Sequence, residues 1–134
     1  MAEQLSVIRL ALLAPVLALV ASCATMGPPR DDAADMAKEL AGKVAEKPRT
    51  CIPLDDARGA KIYRDAILYR VSRRLTYVND AKGCTSFDPD PIFVSEVRGS
   101  QLCRGDVVKL VSRVGGFQGP FCILGDFTPY RTPK

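Results

Sequence analysis

Ala60-Lys61-Ile62-Tyr63, then Arg64-Asp65, then Ala66-Ile67-Leu68-Tyr69-Arg70-Val71, is the stretch that decides the fold. Both runs are rich in β-formers, and the polar pair between them suits a turn, so the segment predicts two neighbouring strands. The pattern continues along the chain. Leu75 to Asn79 reads as another short strand. Asp80 to Pro91 holds Gly83, Pro89, Pro91 and several aspartates, which is loop chemistry. Ile92 to Val97 is apolar and β-branched, and Arg98-Gly99-Ser100 ends it. Asp106 to Val111 is the clearest strand, with Val108 and Leu110 on one side and Val107, Lys109 and Val111 on the other. Gly115, Gly116, Gly119 and Pro120 form a loop that returns the chain into Phe121 to Leu124, and Leu54 to Gly59 adds one helical turn. The class is therefore all-β: a small antiparallel meander or partly closed barrel of about five to six short strands. No internal repeat or heptad is visible.

Upstream of this domain, Ala24 to Thr50 reads as a tether, opened by Gly27-Pro28-Pro29 and closed by Pro48. Within it, Asp31 to Lys47 has helix formers, and Met36, Leu40 and Val44 recur at helical spacing. Aspartates at its start suit a helix N-terminus. The apolar face is thin, so the segment is expected to be either a short, loosely attached helix or a disordered leash.

Composition excludes several chemistries. The chain has 134 residues and a formal net charge of +4, too mild an excess for a nucleic-acid binder. It has no histidine, which removes Ser-His-Asp and Cys-His catalysis and histidine metal sites. It has no tryptophan either, which weakens a sugar-stacking role for Tyr63, Tyr69, Tyr77 and Tyr130.

Five cysteines are present. Cys51, Cys84, Cys103 and Cys122 all lie in the β domain, and an even number in a small exported domain reads as two disulfides. Four cysteines allow three connectivities. Cys103–Cys122 and Cys51–Cys84 are favoured, the first stapling the arms beside the glycine loop and the second tying the domain's start to its central loop. No Cys-x-x-Cys pair exists to suggest zinc or redox chemistry.

The fifth cysteine closes a different pattern. Leu10 to Val20 is an unbroken apolar run with Pro15 inside it, preceded by Arg9 and followed by Ala21-Ser22-Cys23. The run is too short to remain as a spanning helix. Together these residues resemble a bacterial lipoprotein signal. The resemblance implies a diacylglyceryl group on the Cys23 sulfur, cleavage before that residue, and an anchor whose several acyl chains hold by burying methylene groups. Ala24, where an aspartate commonly signals inner-membrane retention, resembles the outer-membrane class. The expected organisation is a signal peptide over 1–22, a lipidated cysteine and tether over 23–49, and the stapled β domain over 50–134. Simple secretion of a soluble periplasmic protein is the alternative.

Several stretches also resemble a family of small exported proteobacterial proteins with a domain of unknown function. They are Cys51-Ile52-Pro53-Leu54-Asp55, Ala66-Ile67-Leu68-Tyr69, Leu75-Thr76-Tyr77-Val78-Asn79, Gly99-Ser100-Gln101-Leu102-Cys103-Arg104-Gly105-Asp106-Val107-Val108, and Cys122-Ile123-Leu124-Gly125-Asp126-Phe127. Asp126 departs mildly from the glutamate expected there. The resemblance implies export and a domain boundary, and no activity.

Candidate chemistry is sparse. Arg70, Arg73 and Arg74, with Arg58, Lys61 and Arg64 nearby, form the densest basic stretch and suit phosphate or carboxylate groups. Asn79, Asp80, Asp88 and Asp90 put oxygen ligands near one loop without an EF-hand spacing, so no metal is expected. Asp55, Asp56, Glu96, Asp106 and Asp126 are the carboxylates from which an acid–base pair would have to come. Arg104-Gly105-Asp106 spells an adhesion tripeptide, but Gly105 is better read as a turn residue with Asp106 capping that turn. The sequence thus predicts a non-enzymatic, cofactor-free accessory or interaction module. It would be anchored in the envelope of a Gram-negative bacterium, facing the periplasm and held by lipid to the outer membrane, with an envelope protein as partner and no nucleic acid. A headgroup- or small-ligand-binding domain using the arginine stretch is the alternative.

Overall fold

A computed structural model describes residues 31–64, 66–84 and 90–134. The signal segment, Cys23, Asp65 and Asp88 lie outside the described residues. Among the described residues helix α1 (Asp32–Leu40) comes first and ten strands follow: β1 (Val44–Ala45), β2 (Cys51–Pro53), β3 (Ala60–Tyr63), β4 (Ala66–Arg70), β5 (Leu75–Asn79), β6 (Ile92–Ser95), β7 (Gln101–Cys103), β8 (Val107–Val111), β9 (Gln118–Ile123) and β10 (Phe127–Arg131). A 3-10 turn, Leu54–Ala57, stands where one helical turn was expected.

All pairings are antiparallel, and they form three sheets without a closed barrel. The largest has the order β1-β10-β5-β4-β3; a ribbon pairs β2 with β7, and a third sheet has the order β6-β8-β9. The all-β class stands, with more and shorter strands than anticipated.

Strand register explains the core. Ile62, Ile67, Asn79 and Phe127 are partners across β3, β4, β5 and β10, and Ala60, Tyr69, Tyr77 and Pro129 form the next row. Both rows share one face of the large sheet. Ile52 and Leu102 of the ribbon join them, as do Val108, Leu110 and Cys122 of the third sheet, in one buried cluster. Tyr69 and Phe127 rings meet there with centroids 5.8 Å apart. Burial pushes the Tyr69 phenol far above its ordinary pKa. The alternation read for β8 is realised: Val108 and Leu110 are buried, while Val107 and Lys109 are exposed.

One polar side chain sits in that core row. Asn79 is fully buried. Its amide donates to the Gly125 carbonyl at 2.9 Å and accepts from the Gly125 N–H at 3.0 Å, pairing like a strand backbone. Gly125 lies between β9 and β10, where the chain leaves the third sheet for the large one. A Cβ on Gly125 would come within 2.4 Å of the Asp80 carbonyl oxygen, so glycine is required by that close approach.

The segment read as a tether is largely structure. Asp31–Lys134 forms one compact unit, so residues 31–49 belong with the domain. Asp31 caps α1, accepting from Ala34 N–H at 3.1 Å. The helix stops at Leu40 rather than running to Lys47, and Gly42, at φ +72°, turns the chain into β1. Beyond β1, the chain stays beside β10: Glu46 N–H donates to the Pro129 carbonyl at 2.7 Å, and Arg49 exchanges two hydrogen bonds with Phe127. Pro129 tolerates its central place in β10 for the same reason. Its carbonyl faces β1, so its missing N–H also faces that short, interrupted edge, and pairing with β5 is untouched.

The disulfides are Cys51–Cys103 and Cys84–Cys122, which corrects the favoured pairing. Register is the cause. Cys51 and Cys103 are direct partners in the β2–β7 ribbon, with Cα atoms 4.0 Å apart. Cys122 pairs instead with Val108, beyond the turn that separates β7 from β8, so Cys103 and Cys122 do not face each other across a hairpin. Each bridge closes a long loop and stabilises the fold by about 4 kcal/mol on the chain-entropy model.

Two outcomes follow from this packing. Asn79→Ala would leave the N–H and C=O of Gly125 without the side chain they pair with, so chemical denaturation should show a loss of about 1–3 kcal/mol. Cys84 and Cys122 are fully buried, whereas Cys51 and Cys103 are half-buried on the outer side of their ribbon. Mild reductant with alkylation and peptide mass analysis should therefore open Cys51–Cys103 first; the reverse order would contradict the burial.

Candidate functional site

The arginine stretch does not fold into one basic patch. Arg70 ends β4 on the outer face of the large sheet, beside Lys61 of β3, Leu68 of β4 and Thr76 of β5. Helix α1 lies against this face. Glu39 of α1 pairs with Arg70 and stands 3.9 Å from Lys61, and Lys43 donates to Thr76 Oγ1 at 2.7 Å. Asp32 accepts from the Arg64 N–H, closing the other end of the helix onto the β3–β4 turn. Glu39, Gly59, Lys61, Leu68, Arg70 and Thr76 line a cleft of about 520 Å³.

The other basic residues go elsewhere. Arg73 and Arg74 sit exposed on the turn between β4 and β5, with no side-chain partner among the described residues. Arg58 pairs with Asp55 on the 3-10 turn. Arg64 stands at the opposite end of β4 from Arg70. Of the three arginines singled out, one is already paired and two are free.

The carboxylates are likewise dispersed. Asp55 holds Arg58, Asp126 holds Arg104 at 3.2 Å, and Glu96 accepts from Lys109 at 2.8 Å. The Lys109 hydrogen bond, and then its charge, hold the Glu96 carboxyl below its ordinary pKa. Asp106 accepts from the Cys103 N–H at 2.7 Å and so caps its own turn, where Gly105 adopts φ +90°. The Arg104-Gly105-Asp106 string is thus a structural turn with its carboxylate engaged. Asn79 spends its side chain on Gly125, which removes it from the proposed cation loop. Among the described residues, no cluster of three acidic, cysteine or histidine side chains forms a metal site.

What stands out instead was not singled out from the sequence. The third sheet is apolar on both faces. Register places Val94, Lys109 and Phe121 in one outer row, Ile92 beside Val111 in the next, and Val107 beside Ile123 in a third. Phe121 is 66% exposed and Ile123 is 55% exposed. At the end of the same hairpin, Val114 and Phe117 are 82% and 75% exposed. Gly115, at φ +83°, lets the Phe117 ring lie over it; a Cβ there would come within 2.5 Å of Phe117 Cε2. Soluble monomers rarely leave an apolar group of this size exposed. The signal was in the sequence: Val107-Val108 and Ile92-Phe93-Val94 are apolar at both parities, which a sheet with one face in water does not need.

Among the described residues, no helix is long and apolar enough to cross a membrane. No family model, curated protein sequence or solved structure matches the chain.

Because Phe117 and Phe121 project from the body, Phe117→Ser and Phe121→Ser should each change unfolding free energy by no more than about 0.5 kcal/mol. Denaturant titration checks this, and a loss of several kcal/mol would mean that the rings are packed against the chain.

Proposed function

We propose that this chain is a lipid-anchored accessory or interaction module of the bacterial envelope, without enzymatic activity. The observation that carries it is the apolar outer face of the β6–β8–β9 sheet, presented by a small unit held rigid by two disulfides. Cys23 would carry the lipid, and the unit would face the periplasm from the outer membrane, as the sequence pattern and Ala24 suggest. The resemblance to small exported proteobacterial proteins accords with this placement. Mechanism, in this reading, is confinement plus contact. The anchor restricts the unit to a surface, and the sheet face meets a protein partner by burying Phe121, Ile123 and their neighbours.

A second reading keeps a specific support. The cleft beneath α1 brings Arg70 and Lys61 together, with the unpaired Arg73 and Arg74 on the adjoining turn. An anionic headgroup would have to displace Glu39 from Arg70 to bind there, which disfavours it relative to the apolar face.

Intact mass of the protein taken from its native envelope should give a chain beginning at an acylated Cys23, with four cysteines alkylated only after reduction. An unlipidated start would remove the anchor. A photo-crosslinker at Phe121 should yield a discrete protein adduct in the same envelope; repeated recovery of the unmodified monomer would count against the interaction role. The headgroup reading instead requires salt-sensitive binding to anionic vesicles, lost when Arg70, Arg73 and Arg74 are neutralised.

A further inference from the structure

The outer face of the third sheet has a definable occupant. We propose that it is a second copy of this chain, packed face to face about a two-fold axis. The proposal rests on the reading of this face as a contact surface and names what covers it.

Area is the first reason. At their fractional exposures, Phe121, Ile123, Val94, Ile92 and Val107 on this face, with Val114 and Phe117 at the end of the same hairpin, leave roughly 700 Å² of exposed surface, close to the ~800 Å² that each partner buries in a standard interface. Two such faces together have the size of a stable protein–protein contact.

Charge is the second. The face carries one cation, Lys109, set among Val94, Val107, Val111 and Phe121, and it leans to Glu96 at the rim. The remaining cation at the hairpin, Arg113, is bound to Asp90 at 2.7 Å. The patch is therefore neutral by pairs. An anionic lipid surface would find no unpaired cation there to attract it, whereas a second copy meets no net repulsion. A two-fold axis sets the Lys109–Glu96 pair of one copy antiparallel to the same pair of the other. Each charge then keeps an opposite charge beside it as water leaves.

Geometry supplies the third. Joining edge to edge through β9 is disfavoured. Its pairing with β8 is irregular between Lys109 and Val111, and such a bulge bends the edge away from a regular ladder. The outer face, with alternate apolar residues on three strands, can stack on its own kind as the sheets of a sandwich do.

Sedimentation of the full chain over a concentration series tests this. The wild type should move from monomer to dimer in the micromolar range, with no larger species. Phe117→Ser with Phe121→Ser should weaken the dimer at least tenfold, with native disulfides and the melting of the diluted, monomeric chain unchanged. Lys109→Glu should weaken it similarly, and Lys109→Glu with Glu96→Lys should restore it, because the exchanged pair remains self-complementary. Four results would overturn the proposal. They are a monomeric wild type at about 100 µM, association untouched by the double serine variant, no rescue by the charge exchange, or phenylalanine-dependent binding to phosphatidylglycerol vesicles by a chain that stays monomeric. If the wild type is monomeric yet the crosslinker at Phe121 captures a different envelope protein, the second copy is excluded while the interaction role stands. If the crosslinker captures nothing as well, both fall.

Discussion

Between Ile123 and Phe127 the chain must leave one sheet and enter another, and it does so with Leu124 and Phe127 buried and Gly125 and Asp126 half-buried between them. A backbone that changes sheets gives up ladder partners on both sides, and where it is half-buried its polar groups need partners from within the fold. Asn79 resolves this by lending a side-chain amide as a substitute strand. Gly125 makes the substitution fit, because any larger residue would collide with the Asp80 carbonyl. Around this corner the rest is built. Leu124 continues the β8–β9 ladder through the Asp106 carbonyl, Phe127 fills the centre of the core, and Cys122 anchors the third sheet to the loop after β5.

Local pattern was enough to find the elements whose stability is local. Alternation in Val107 to Val111 fixed which side chains point inward, and the Gly105-Asp106 turn with its carboxylate cap followed from turn chemistry. The elements that escaped notice are those whose partners lie far along the chain. Phe127–Arg131 contains a proline in its middle, which argues against a strand until Pro129 is seen to face an interrupted edge. Val44–Ala45 is a strand only because β10 offers it a template eighty-odd residues later. Disulfide pairing belongs to the same class: cysteines near in sequence were favoured, but strand register decides which thiols meet.

The candidate site shows the complementary limit. Sequence reasoning kept the arginines as the alternative site because a run of charge is conspicuous, yet folding disperses them and α1 neutralises the one that enters the cleft. Exposed pairs of this kind contribute little to stability, so their effect is mainly to quiet the surface. The apolar face was harder to see for a physical reason. Valine and phenylalanine look alike whether they fill a core or lie open to a partner, and only the register of β6, β8 and β9 separates the two. With Arg70 and Lys109 paired and exposed apolar residues gathered on one sheet, the proposed contact would be governed by shape and burial more than by field.

The two bridges also interlock along the chain, since Cys84 lies within the loop closed by Cys51–Cys103, and Cys103 lies within the loop closed by Cys84–Cys122. The ribosome delivers Cys51 and Cys84 before the partner of either exists. A chain oxidised in the order of its emergence would join these two first and trap a wrong loop. Reaching the native pairs then requires thiolate attack on that early bond and reshuffling. Productive maturation is thus tied to oxidation that waits for the last strands, or to a disulfide isomerase that corrects the first mistake.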